Sequence, residues 1–178
     1  MTISKEEFTQ RASEIKLLIL DVDGVMTDGS LFLDNDGEEY KAFNSKDGHG
    51  IRMLQECGVE AAILTGRKSK LVKHRSNDLD IKYVMQGYRD KRPAYADLKQ
   101  QTGFSDKQIA YMGDDVIDLP VMHQVGLAIA VNDAHHFVKQ HAHWITDTAG
   151  GRGAVREICE QIIASHGLLD EKLNSYLK

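Results

Sequence analysis

Short apolar runs of a strand's length recur along this chain, and helix-forming segments separate most of them. The clearest runs are residues 16–20, 59–64, 109–112 and 127–131, with two shorter ones at 83–85 and 143–145. A strand that is apolar on both faces must be covered on both faces, and strands that alternate with helices pair in parallel. The pattern therefore predicts an α/β, Rossmann-like fold: one parallel sheet with helices on either side. The spacing predicts helices over residues 69–79, 93–101 (proline in the first turn), 116–123, 134–140 and 154–165. Near the start, Ser4 and Glu7 read as a capping box for a first helix, with Phe8, Ala12 and Ile15 on one face. Asp47 reads as the cap of a helix that Gly58 stops near Cys57. Between the first strand and that helix, residues 30–33 and 38–43 flank Asp34-Asn35-Asp36-Gly37, which predicts a β-hairpin flap. The tail at 168–178 is open to a helical or an extended reading.

The chain has 178 residues, which fits a single domain over 1–178. Its 22 basic and 27 acidic residues give a net charge of −5, against a nucleic-acid or anionic-membrane surface but not against a small anionic substrate in a local positive site. No apolar run approaches the ~18 residues of a membrane span. The first residues show no basic stretch followed by an apolar one, and two cysteines make no disulfide framework, so the expected setting is the reducing cytoplasm.

Ligands of open parallel sheets sit beyond the C-terminal ends of the strands. Polar residues gather there in this chain. After the first strand comes Asp21-Val22-Asp23-Gly24-Val25-Met26-Thr27; after the next, Thr65-Gly66-Arg67; later Lys91; and after the 109–112 run, Gly113-Asp114-Asp115-Val116-Ile117-Asp118. Clustered carboxylates raise one another's pKa unless a cation joins them, and Mg²⁺ favours such hard oxygen ligands while leaving room for a phosphate oxygen. Thr65 and Lys91 suit phosphoryl oxygens, and a carboxylate nucleophile can form an aspartyl-phosphate. Each piece also has a plain structural reading: a turn, a helix start, a solvated lysine, a helix cap. Four together, in this order and all at strand ends, favour the chemical one.

In these four runs the chain resembles the haloacid dehalogenase superfamily of phosphotransferases. A response-regulator receiver domain also combines acidic residues, Thr and Lys, but its phosphorylated Asp follows the acidic pair on a later strand; the order here fits the hydrolases. The resemblance implies Asp21 as nucleophile and Asp23 as the acid and then the base. It implies Mg²⁺ on Asp21, the carbonyl of Asp23, and Asp114. It also implies Asp115 as holder of a metal-bound water, Asp118 as the residue orienting Lys91, and Thr65, Gly66 and Lys91 around the phosphate, with Arg92 a rival to Lys91.

Residues 24–59 hold too little for a substrate-covering cap domain. The chain is similar to the capless branch acting on 3-deoxy-manno-octulosonate 8-phosphate, through the motif-one run, the hairpin, Lys46-Asp47-Gly48-His49-Gly50-Ile51, Tyr111-Met112-Gly113-Asp114-Asp115 and Gly150-Gly151-Arg152-Gly153-Ala154-Val155-Arg156-Glu157. That likeness implies a role in lipopolysaccharide precursor synthesis and a homotetramer in which each hairpin, with Leu31, Leu33, Tyr40 and Phe43, reaches a neighbour's site. The tail is placed over a neighbouring subunit in the same way. Similar enzymes for nine-carbon sialic-type sugar acid 9-phosphates carry Glu where this chain has Arg67, and a guanidinium suits a sugar carboxylate. Arg67 and Arg75 are thus candidate substrate contacts, Lys70 and His74 weaker ones, and Arg152 a candidate at the mouth of the site. A nine-carbon substrate and broad specificity remain the alternatives. His135, His136, His141 and His143 lack zinc-site spacing and read as surface residues; Trp144 and the leucines of the C-terminal helix read as core.

Overall fold

The computed structural model describes residues 2–178. The chain begins with α1 (Lys5–Ala12), β1 (Leu17–Leu20), the ribbon strands β2 (Phe32–Leu33) and β3 (Glu39–Tyr40), α2 (Ser45–Glu56), β4 (Glu60–Thr65), α3 (Lys70–Asp78) and β5 (Tyr83–Gln86). It continues through α4 (Arg92–Thr102), β6 (Ile109–Gly113), α5 (Leu119–Met122), β7 (Leu127–Ala130), α6 (His136–His141), β8 (Trp144–Ile145), α7 (Ala154–Ser165) and α8 (Leu169–Asn174). Six strands form one parallel sheet in the order β5-β4-β1-β6-β7-β8. Helices α1 and α2 pack on α7, and α5 packs between α4 and α6, so the sheet lies among helices. The expected α/β fold is the observed one.

The strand β1 is central, and all four of its residues are buried. Leu18 sits between Ala61 of β4 and Ala110 of β6. Cutting Leu18 or Ile19 back to Ala would cost about 2–5 kcal/mol. That rigidity matters because the next residue is Asp21, whose N–H is fixed by the Met112 carbonyl at 3.1 Å.

Several expectations need correction. The ribbon is shorter than predicted, with only Phe32 against Tyr40 and Leu33 against Glu39. Its turn forms as expected, Asp34 Oδ1 accepting from the N–H groups of Asp36 and Glu38, but the chain leaves the ribbon at Lys41, whose side chain turns inward. The single helix expected over 116–123 is split into a 3-10 turn at Val116–Asp118 and then α5, because the Asp118 side chain is drawn into the site and Pro120 opens the next helix. Ile15 lies past the end of α1, although it is buried. His135 caps α6 rather than lying inside it. Trp144 is half-buried, 4.5 Å from the Phe8 ring, and His143 is partly buried, its Nδ1 accepting from the Ala128 N–H at 3.0 Å. The tail is helical, and of its leucines only Leu168 and Leu169 pack on the core; Leu173 is 42% and Leu177 84% exposed.

Candidate active site

The strand order places β1 between β4 and β6, and the polar ends of these three strands converge. Asp21 follows β1, Thr65 ends β4, and Asp114 follows β6. Lys91 caps the start of α4, with its side chain 0% exposed. Its ammonium donates to Asp21 Oδ1 at 2.7 Å, to Asp118 Oδ1 at 2.5 Å and to the Tyr111 hydroxyl at 2.9 Å. An ammonium has three protons, so all are engaged. The Tyr111 hydroxyl donates in turn to Asp118 Oδ1 at 2.6 Å. The other oxygen of Asp118 accepts from the N–H groups of Asp114 at 3.0 Å and Asp115 at 3.2 Å.

Burial is the main force on the charges here. It pushes the Asp21 carboxyl up to about 7, Asp118 adding to the rise while Lys91 opposes it. It pushes Asp114 up to about 8, with the charges of Asp21 and Asp118 adding to the effect. Burial works against the charged form of Lys91 as well, but its two carboxylate partners outweigh it and the net direction is upward. Tyr111 is held well above its ordinary value, first by burial and then by Asp118.

The donor set fits a hard divalent cation. Oxygens of Asp21, Asp114 and Asp118 all lie within 4.8 Å of one another. Asp118 is already saturated by four donors, which leaves Asp21 and Asp114 as the side chains with oxygen to offer. The turn at Val22–Met26 carries Gly24 at φ 98°, and a Cβ there would lie 2.1 Å from Asp114 Oδ2, so only glycine lets the turn close against this carboxylate. Gly150 is constrained in the same way: a Cβ would fall 1.7 Å from the Gly24 carbonyl oxygen. The Gly150-Gly151 run therefore buttresses the turn, and the Gly151 N–H binds the Val25 carbonyl at 2.9 Å.

The other sequence-predicted residues fall in different places. Thr65 is buried at the rim, its hydroxyl accepting from the Arg67 N–H at 3.4 Å, with Gly66 between them. Arg67 is exposed; its Nη2 donates to Glu39 at 2.9 Å and its Nε lies 3.9 Å from Asp23 Oδ2. Asp115 is exposed and accepts from the Val116 N–H at 2.7 Å. Arg92 is committed to Asp90 at 2.9 Å, which leaves Lys91 as the lysine of the site. Arg75 does not reach the cluster of its own chain; it lies over the Phe43 ring and donates to the Asn44 carbonyl at 3.3 Å. Arg152 pairs with Asp28 at 2.8 Å, and both line a cavity of about 420 Å³ with Phe43, Asn44, Lys46 and Gly151.

Sequence reasoning overlooked three residues of this region. Tyr111 gave a signal, since a phenol in an otherwise apolar central strand must find a partner. Glu39 and Lys41 gave only a faint one, two charges at i and i+2 on one face of a short strand. The Lys41 ammonium is bonded to Asp23 and lies 3.2 Å from Glu39.

Residues 83–158 match the model of the haloacid dehalogenase-like hydrolases. That stretch contains Lys91, Asp114, Asp115 and Asp118 but not Asp21, Asp23 or Thr65. Relatives extend the likeness: the chain is 49% identical over 165 residues to the 3-deoxy-D-manno-octulosonate 8-phosphate phosphatase of Yersinia pestis, covering 93% of this chain and 88% of that one. The chain belongs to the haloacid dehalogenase-like hydrolases. This hydrolase is similar in structure to the 3-deoxy-D-manno-octulosonate 8-phosphate phosphatase of Moraxella catarrhalis, crystallised with magnesium, phosphate and the sugar acid. The TM-score is 0.94 at 36% identity, over 96% of this chain and 98% of that one. It is also similar to the cobalt-bound deoxy-D-mannose-octulosonate 8-phosphate phosphatase of Haemophilus influenzae, with a TM-score of 0.91 at 40% identity over 95% of this chain and 100% of that one. Among the described residues, no helix is long and apolar enough to cross a membrane.

Proposed function

We infer that this hydrolase is a Mg²⁺-dependent phosphoric monoester hydrolase that releases phosphate from 3-deoxy-D-manno-octulosonate 8-phosphate. The observation that carries the reading is the convergence of Asp21, Lys91 and Asp114 in a chain 49% identical, over nearly its whole length, to a phosphatase of that substrate.

The chemistry follows from the charges. At 4 Å and an effective dielectric near 20, two unit charges of like sign repel by about 4 kcal/mol. A phosphate dianion nearing Asp21 therefore needs positive charge beside it. Mg²⁺, held by the carboxylates of Asp21 and Asp114 and the main-chain carbonyl of Asp23, supplies part of that charge when bound. Lys91 supplies the rest. The N–H it now gives to Asp21 is the one it can redirect as a hydrogen bond to a phosphoryl oxygen while remaining an ammonium, because Tyr111 and Asp118 hold the other two. Asp21 attacks phosphorus to give an aspartyl-phosphate, Asp23 protonates the departing sugar oxygen, and Asp23 then takes a proton from the water that hydrolyses the intermediate. Thr65 and Gly66 line the phosphate side. Asp115 stands ready for a metal-bound water, and Asp118 orients Lys91.

Arg67 at the rim suits the substrate's carboxylate, with Arg75 from a neighbouring subunit and Arg152 at the mouth as further contacts. The chain acts as one domain and assembles as a homotetramer through the ribbon, a proposal supported by exposed Leu31, Phe32, Leu33 and Tyr40, more apolar surface than a two-residue ribbon can bury alone. Two unpaired cysteines support the cytoplasm as its compartment.

The test is phosphate release with Mg²⁺ from 3-deoxy-D-manno-octulosonate 8-phosphate against a nine-carbon sugar acid 9-phosphate. A higher kcat/KM for the first, reversed or abolished in Arg67→Glu, supports the reading; preference for the nine-carbon ester, or equal use of many esters, contradicts it.

A further inference from the structure

Lys41 is the second lysine shut inside this site, and it comes from the ribbon rather than from the sheet. Its side chain is 1% exposed. An ammonium buried that deeply must be paired, and here both partners are carboxylates. It binds Asp23 Oδ1 and lies 3.2 Å from Glu39 Oε1. Glu39 also accepts from Arg67, whose Nε is 3.9 Å from Asp23 Oδ2. Asp23 is thus gripped at one oxygen, while its other oxygen has only a long contact with an exposed guanidinium. Asp23 itself sits in non-helical backbone next to Gly24, and its carboxyl can turn about χ1 and χ2. A charge-assisted hydrogen bond to one oxygen removes that freedom.

We propose that Lys41 is a positioning residue for phosphoryl transfer, holding Asp23 through Oδ1 so that Oδ2 exchanges a proton with the leaving group. This rests on the reading of Asp23 as proton donor. In that step an Asp21 oxygen bonds to phosphorus and the phosphorus–oxygen bond to the sugar breaks. The electron pair of the broken bond stays on the sugar oxygen, which receives the proton from Asp23. The Lys41 ammonium faces the negative charge that Asp23 is left with.

A lysine that only anchored the ribbon would affect all substrates alike. A positioning lysine matters where the leaving oxygen needs a proton: a sugar alkoxide does, and p-nitrophenolate departs without one. The value of kcat/KM covers the steps up to departure of the leaving group, so it isolates this one. The experiment compares the wild type with Lys41→Met, Lys41→Arg and Asp23→Asn on 3-deoxy-D-manno-octulosonate 8-phosphate and on p-nitrophenyl phosphate. Lys41→Met is expected to lose about 100-fold on the sugar ester and less than about 3-fold on the aryl ester, with Lys41→Arg recovering most of the loss. Equal losses on both esters, or none on the sugar ester, would overturn the proposal. If Lys41→Met does not fold, Lys41→Gln, which fills similar space but replaces the charge-assisted bond to Asp23 with at most a weaker neutral one, carries the same comparison, a sugar-selective loss supporting the proposal and a uniform loss or none overturning it. Asp23→Asn losing equally on both esters would instead overturn the proton-donor reading, a result separate from failure at Lys41.

Discussion

Lys91 and Lys41 are the same side chain in nearly the same setting, an ammonium shut between two carboxylates, yet they hang from different parts of the molecule. Lys91 stands at the start of α4, with partners just after β1, on β6 and in the 3-10 turn that follows β6. Those strands are buried, and each is hydrogen-bonded to a parallel neighbour on both sides. Lys41 stands at the end of a ribbon with two residue pairs and an exposed apolar face. A ribbon of that size has little stability of its own. The charge network of Asp23, Glu39, Lys41 and Arg67 is therefore what ties it to the site. The same chemistry serves two ends: the lysine at the start of α4 holds a fixed charge geometry at the strand ends, and the one at the end of the ribbon ties that small element to the reacting groups.

The contrast can be broken in several ways. The largest effect should come from removing the cation: a chelator is expected to abolish phosphate release in the assay, and added Mg²⁺ to restore it, since Asp21 and Asp114 cannot both stay ionised side by side unaided. Full activity in excess chelator would contradict this. Next, Asp118→Ala should destabilise the fold by about 3–5 kcal/mol in denaturant unfolding, because it strips a partner from a fully buried ammonium. Glu39→Ala should cost only about 1 kcal/mol, since its loss loosens the ribbon and not the core. Equal costs would erase the distinction drawn between the two lysines.

A smaller effect is a dependence on pH. Asp21 and Asp114 have folded-state values of about 7 and about 8, above their ordinary range, so between roughly pH 4 and 8 the folded protein holds protons that the unfolded chain releases. The metal-free protein should therefore lose stability as pH rises through that window. Mg²⁺ competes with those protons, so the rise in melting temperature it produces should grow with pH. A Mg²⁺ shift equal at about pH 5.5 and pH 8.5 would contradict this linkage.

The sheet was legible because its central strands are continuous apolar runs, and the 154–165 helix because its apolar spacing persists over three turns. The short elements were not. Local pattern gave no warning that Asp118 would leave a helical register for Lys91, or that the ribbon would stop at Tyr40, three residues early. Tertiary electrostatics decided both. At the site, Asp21, Thr65, Lys91, Asp114 and Asp118 could be placed because each follows or borders a recognisable strand or helix. Tyr111, Glu39 and Lys41 were given no role: the first stood only as part of a strand, and the other two as part of the hairpin. Arg75 and Arg152 came from resemblance alone, and within the single chain they pair with Asn44 and Asp28.

The central claim is that Asp21 attacks phosphorus, and phosphate release by Asp21→Asn tests it most directly. With Mg²⁺ and 3-deoxy-D-manno-octulosonate 8-phosphate, the account predicts a variant that folds with wild-type secondary structure and cooperative melting but releases phosphate at least about 10⁴-fold more slowly. Release at the wild-type rate by that folded variant would contradict it.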